Sequence, residues 1–135
     1  MGSFSDFLEN ELLDHVFKVG AYTPATNLFV ALLNTTPDDA DTGTTLNTAH
    51  EVSGGSYARV TCDTWDAASS GATANTGAIT FAEATADWGT VTHFAVCDHD
   101  TTGNMLGWGA LTTPKAIGTG DTASFAAGDL DVTLT

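Results

Sequence analysis

Past Gly20 the apolar residues of this chain stop recurring at helical spacing and begin to alternate. That change of period constrains the fold more than any other feature of the sequence. Short alternating segments follow at Asn27–Leu33, Tyr57–Cys62, Ala78–Phe81, Thr90–Asp98, Asn104–Leu111, Thr122–Ala126 and Leu130–Leu134, separated by Gly, Asn, Asp and Thr. Twenty-four threonines against two lysines suit sheet better than helix. About seven short strands with turn residues between them read as a mainly β, single-domain antiparallel β-sandwich, with a partly closed barrel as the other arrangement. In Thr90–Asp98 the alternation puts Val91, His93, Ala95 and Cys97 on one face and Thr92, Phe94 and Val96 on the other.

The first twenty residues are different. Phe4, Phe7, Leu8, Leu12, Leu13, Val16 and Phe17 recur every three or four positions, which predicts one N-terminal α-helix with a broad apolar face. Ser3 or Ser5 fits its start, Asp6 and Glu9 suit its first turn, Lys18 its last, and Gly20 the position beyond. The chain thus divides into residues 1–20, an amphipathic helix packed on the domain, and residues 21–135, the sandwich. The seven apolar side chains need cover, either from the domain's own sheet or from a neighbouring subunit.

Two stretches, Asn34–Ser56 and Asp66–Gly77, lack apolar periodicity and read as long loops, where partner contacts or a solvent-facing tip belong. At 135 residues there is room for one domain with its own core. The longest apolar run, Leu28–Leu33, is far below the about 20 residues of a membrane span, and no basic-then-apolar leader is visible at the start.

Seventeen carboxylates face three basic residues (Lys18, Arg59 and Lys115), a net charge of -14. Binding phosphate takes clustered cations, so neither nucleic acid nor an anionic membrane is expected as a partner. Cys62 and Cys97 make no metal-type pair; they permit one disulfide or none, and read first as small buried hydrophobes.

The stretch "CDHDTTGN", Cys97–Asn104, is where chemistry has its best opening. Contiguous Asp98, His99 and Asp100 alternate faces on a strand, and the glycine and glutamate spacing of a calcium loop is absent. A hairpin accounts for the stretch: the strand ends at Asp98 and returns at Asn104, with Gly103 in the left-handed conformation. The four histidines are not at ligand spacing, and His93 reads as a hydrogen-bonded core or interface residue. No nucleophile elbow, dinucleotide loop or P-loop is present. The residues call for no catalytic group, metal or cofactor. Trp88 and Trp108 read as core, while Trp65 is left between core and a sugar-stacking position.

Four stretches together resemble a family of small virion structural proteins of tailed bacteriophages: "FSDFLENELLDHVF" with "AYTPATNLFVALLNTTP", "EVSGGSYARV", "AITFAEATADWGTVTHFAV" and "GNMLGWGALTTPKAIGTGDTASFAAGDLDVTL". They cover most of the chain in order. Members of that family are tail-fibre-like, capsid-decorating or head-spike-base proteins. The acidic insertion Asp38–His50 and the strand cysteines depart from the usual pattern.

The resemblance implies a non-enzymatic protein on the external surface of the virion. It would decorate or cement the capsid, or form a head-spike base, by contact with the major capsid protein or with spike or fibre subunits. It would also associate with its own copies, a trimer being one arrangement that phage shells offer. The expected interface residues are Phe4, Phe7, Leu8, Leu12 and Val16, with Asp38, Asp39, Asp41 and His50 of the acidic segment. The alternative is a tail-fibre or minor tail protein that binds host-surface carbohydrate, with Trp65 and the Asp38–Asp41 segment lining the site.

Overall fold

The alternating segments form one antiparallel sheet and two short ladders. In chain order the computed structural model, which describes residues 2–134, has β1 (Ser3–Phe4), α1 (Asp6–Val16), β2 (Phe29–Leu33), α2 (Gly43–Ala49), β3 (Val60–Thr61), β4 (Ala72–Ala74), β5 (Ile79–Thr80), β6 (Gly89–Cys97), β7 (Met105–Ile117), β8 (Ser124–Phe125) and β9 (Asp131–Thr133). Met1 and Thr135, which bound the two-part division of the chain, lie outside the described residues. The main sheet runs β1-β7-β6-β2-β3, and β4–β9 and β5–β8 are two-stranded ladders. No helix among the described residues is long and apolar enough to cross a membrane.

The architecture is the expected mainly β sandwich, with an N-terminal helix. One face of the main sheet carries Val30, Leu32 and Val91, which pack with Ile79, Phe81, Trp88 and Leu130 of the second layer. There Tyr57 meets Trp88 edge-on, ring centroids 5.4 Å apart at 87°, an arrangement that satisfies the aromatic quadrupoles. The opposite face carries Ala31, Leu33, Ala95, Cys97 and Met105, closed by Leu46 of α2. Trp88 is buried and Trp108 packs against this second cluster, both as expected of core tryptophans.

Five expectations are corrected. The Asn34–Ser56 stretch is not a loop throughout: α2 lies in it, started by Thr42, whose hydroxyl accepts from Thr45 N while the Thr45 hydroxyl accepts from Thr42 N. Asp66–Gly77 contains β4, paired with β9. Ser5 is the helix cap, as one of the two expected, but Phe4 does not belong to the helix, because Ser3 and Phe4 pair with Trp108 and Gly107 as a sheet edge. The left-handed residue at its end is Lys18 (φ 66), not Gly20. Val91 lies with Phe94 and not with Ala95, since a bulge between Val91 and His93 switches its face. That bulge also lets β7 continue past Leu111 to Ile117.

The Cys97–Asn104 stretch is the expected hairpin. Asp98 N donates to Asn104 O at 3.1 Å, and the Asp98 carboxylate accepts from Asn104 N (2.6 Å) and Nδ2 (2.8 Å), with Gly103 at φ 72. The Asp98 carboxylate is thereby committed to its own turn.

Candidate functional site

Helix α1 is pinned at its start and left bare at its end. Ser5 caps it, accepting from Leu8 N at 3.2 Å, while its buried hydroxyl reaches the carbonyl of Met105 on β7. Asp6 N donates to Asp39 O at 2.9 Å, which ties the same end to the acidic segment. At the other end Phe17 N donates to Leu13 O, and Val19 N and Gly20 N both donate to Asp14 O, which closes the helix with a tight turn. The hydrophobic contact that usually accompanies such a cap is missing, because Val19 is 77% exposed.

At 100° per residue, Phe7, Leu8, Glu11 and Leu12 share the inward side, and these four are half-buried against the sheet. Asp6, Glu9, Asn10, Leu13, Val16 and Phe17 share the outward side. Leu13 is 57%, Val16 63% and Phe17 72% exposed. Of the expected interface residues on the helix, Val16 alone faces fully outward. Leu13, Phe17 and Val19 complete the patch. The first two were countable in the helical repeat, but the repeat does not say which side of a broad apolar stripe the domain itself will take.

Phe4 lies elsewhere, on β1 over Gly107, where a Cβ would meet its Cδ1 at 3.5 Å. At Gly107 that is an ordinary contact distance, but Gly109, two residues on, leaves room for the Phe94 ring, which a Cβ would meet at 2.9 Å. Phe4, Leu8, Trp65, Phe94, Val96 and Val132 line an open apolar groove of about 850 Å³ between the main sheet and the β4–β9 ladder. Trp65 is half-buried, with its indole N–H given to Cys62 O at 2.9 Å and its ring packed against the core.

The acidic segment is spent on its own geometry. The Asp39 carboxylate accepts from Trp108 Nε1 at 2.8 Å and Ser3 Oγ at 3.1 Å. Asp38 Oδ1 accepts from Ala40 N at 3.0 Å. Asp41 accepts from Asp38 N and the Thr45 hydroxyl, each at 2.8 Å, and lies 3.3 Å from His50 Nε2. His50 Nδ1 meets Thr35 Oγ1 at 2.6 Å. This group abuts the N-terminal end of α1 and is a helix length from Val16 and Phe17.

The ionisable groups of the interior form a closed network. Tyr57 Oη donates to Glu51 Oε1 at 2.6 Å and accepts from Leu32 N at 2.9 Å. Arg59 pairs with Glu51 through Nε and Nη2, and gives its remaining donors to the carbonyls of Gly43, His99 and Thr102. Burial, reinforced by the Glu51 charge, pushes the Tyr57 hydroxyl far above the ordinary phenol value. Burial, the largest influence, disfavours the Arg59 charge, but the hydrogen bonds to Glu51 and the surrounding negative groups together more than offset it, and the guanidinium pKa is raised. The network clamps α2 and the 99–102 turn onto β2, with the Arg59 and Glu51 side chains 1% and 2% exposed.

Cys62 and Cys97 are free and buried in the two different clusters, with β2 between their strands. Burial pushes the Cys97 thiol up to about 12. His93 is half-buried, hydrogen-bonded to Thr92 Oγ1 at 2.8 Å and tilted on Trp108, and burial lowers its pKa.

A profile of the family described as podophage GP4 fiber I protein gp80 matches residues 3–133, nearly the whole chain. The chain belongs to the Gp80 family. Gp80 proteins are structural, fibre-like proteins of the phage virion, so membership carries a virion location and association with other virion proteins. No curated protein matches the chain.

Proposed function

We propose that this chain is a non-enzymatic fibre component on the outer surface of a phage particle, seated on other virion proteins through the outward side of α1. The observation that carries the reading is the row Leu13, Val16, Phe17 and Val19, four large apolar side chains between 57% and 77% exposed on one capped helix end. A contiguous patch of that kind on a chain of net charge -14 marks a contact site. Of the positions that the sequence resemblance implied, capsid decoration, spike base and fibre, the description of the matched family favours the fibre. Docking stabilises the particle by mass action on the assembled state. A symmetric set of copies, a trimer, is part of the proposal and would use other surfaces, Phe4 and the Asp38, Asp39, Asp41 and His50 segment among them. Immunogold labelling of intact particles tests it: label on a fibre supports the reading, and unlabelled particles or label confined to the shell contradict it.

The groove beside Trp65 favours a second reading, binding of host carbohydrate, since an aromatic wall flanked by Glu9, Thr73 and Asp131 suits stacking on a sugar ring. Glycan-array binding that Trp65→Ala abolishes supports it, and an array without signal ends it.

A further inference from the structure

We infer that the outward side of α1 takes a different protein and not a second copy of this chain, and that its partner is a basic surface with an apolar hollow. The inference rests on the docking role proposed above and names the partner. The outward side is two-part. Asp6, Glu9 and Asn10, all exposed, occupy its N-terminal half, and Leu13, Val16 and Phe17 occupy its C-terminal half. The whole row is about 16 Å long at about 1.5 Å per residue.

Only a partner that offers cations beside an apolar recess matches both halves, and a second copy has almost none to offer. Of its three basic residues, Arg59 is locked to Glu51 with its side chain 1% exposed. That leaves the side chains of Lys18 and Lys115 against seventeen carboxylates. Lys18 lies inside the apolar end itself, and Lys115 stands on β7. Two copies meeting through this face would set acid against acid if the helices were parallel, or the acids of one against the apolar knob of the other if antiparallel, and either arrangement costs free energy.

The helix end is also built to stay in shape. Lys18 is held at φ 66, a conformation that a non-glycine residue adopts at a cost, and Val19, which follows that turn, is exposed beside Phe17. The carbonyls of Leu13 and Asp14 hold the turn through Phe17, Val19 and Gly20, so a partner meets a preformed apolar knob and needs to order little.

Zero-length carbodiimide cross-linking of purified virions is the test, because it joins carboxylates to lysines and this chain has few lysines of its own. The expected result is cross-links from Asp6, Glu9 or Asp14 to lysines of another virion protein. Leu13→Ser with Phe17→Ser should lower the copies per particle by about tenfold or more. Glu9→Lys serves as a second variant, and should lower incorporation with the apolar knob intact. Re-binding of purified protein to stripped particles should weaken from about 0.1 M to about 1 M salt, as the screening length falls from about 10 Å to about 3 Å. Incorporation of all variants at the unmodified level overturns the inference. So does self-association of the purified protein that Phe17→Ser abolishes. A chain present on fibres with unaffected variants refutes the partner alone, whereas a chain missing from particles refutes the virion reading and the partner together.

Discussion

Arg59 Nη2 donates to Glu51 Oε2 at 2.7 Å, and the two side chains are 1% and 2% exposed. Removing one member leaves the other charged and without its counter-ion in the interior. Glu51→Ala should therefore cost about 3–5 kcal/mol of unfolding free energy, and a double replacement of Glu51 and Arg59 by Leu and Met markedly less. Urea unfolding of the three proteins checks this; a single variant within about 1 kcal/mol of the parent would mean that the pair is not sealed as described.

Tyr57 and Cys97 predict an alkaline loss of stability. Both titrate above their ordinary values of 10.0 and 9.0 because burial disfavours the charged form. In that case the unfolded chain releases its proton first as pH rises. The contribution is whole below pH 9.0 and falls between 9.0 and about 12 for Cys97, and from 10.0 upward for Tyr57. Unfolding midpoints over that range should decline, with an earlier onset in the parent than in Cys97→Ala. A flat profile would contradict the burial of both groups. For the same reason neither thiol should react with a thiol reagent at neutral pH until the protein unfolds.

Lys18 at φ 66 predicts a substitution that improves stability. Lys18→Gly removes the left-handed penalty at the end of α1 and should raise unfolding free energy by about 0.5–1 kcal/mol, read from the thermal or urea midpoint. A fall would mean that the Lys18 charge near the helix end matters more than the backbone.

Gly109 stands where a Cβ would come within 2.9 Å of Phe94 Cε1 and Cζ. Gly109→Ala should cost about 1–3 kcal/mol through overpacking. Phe94→Leu in that background should recover part of the loss, and no recovery would show the strain to lie in the backbone of β7.

The sheet was legible because burial on alternating sides imposes a period of two, and β2, β6 and the start of β7 carry it plainly. Other elements escaped for identifiable reasons. The α2 segment Gly43–Ala49 holds one large apolar residue, Leu46, so it has no stripe to find. Its signal was the Thr42-to-Thr45 box. Pro114 and two threonines, Thr112 and Thr113, disguised the far half of β7, whose run past Leu111 depends on a bulge opposite Thr92. The same bulge reversed Val91. The Glu51–Arg59 pair shows up in the sequence as a lone arginine before an apolar strand, and only the fold brings Gly43, His99 and Thr102 around it. For the docking surface, the helical repeat supplied the apolar residues. Contact with β7 then decided that Phe7, Leu8 and Leu12 turn inward and Leu13, Val16 and Phe17 outward.

The most direct test of the whole account is an electron cryo-microscopy reconstruction of the virion at side-chain detail. It should place this chain on a fibre, with Leu13, Val16 and Phe17 buried in an apolar recess of a different protein and lysines or arginines opposite Asp6 and Glu9. A chain lodged in the particle with that side of the helix facing solvent would contradict it.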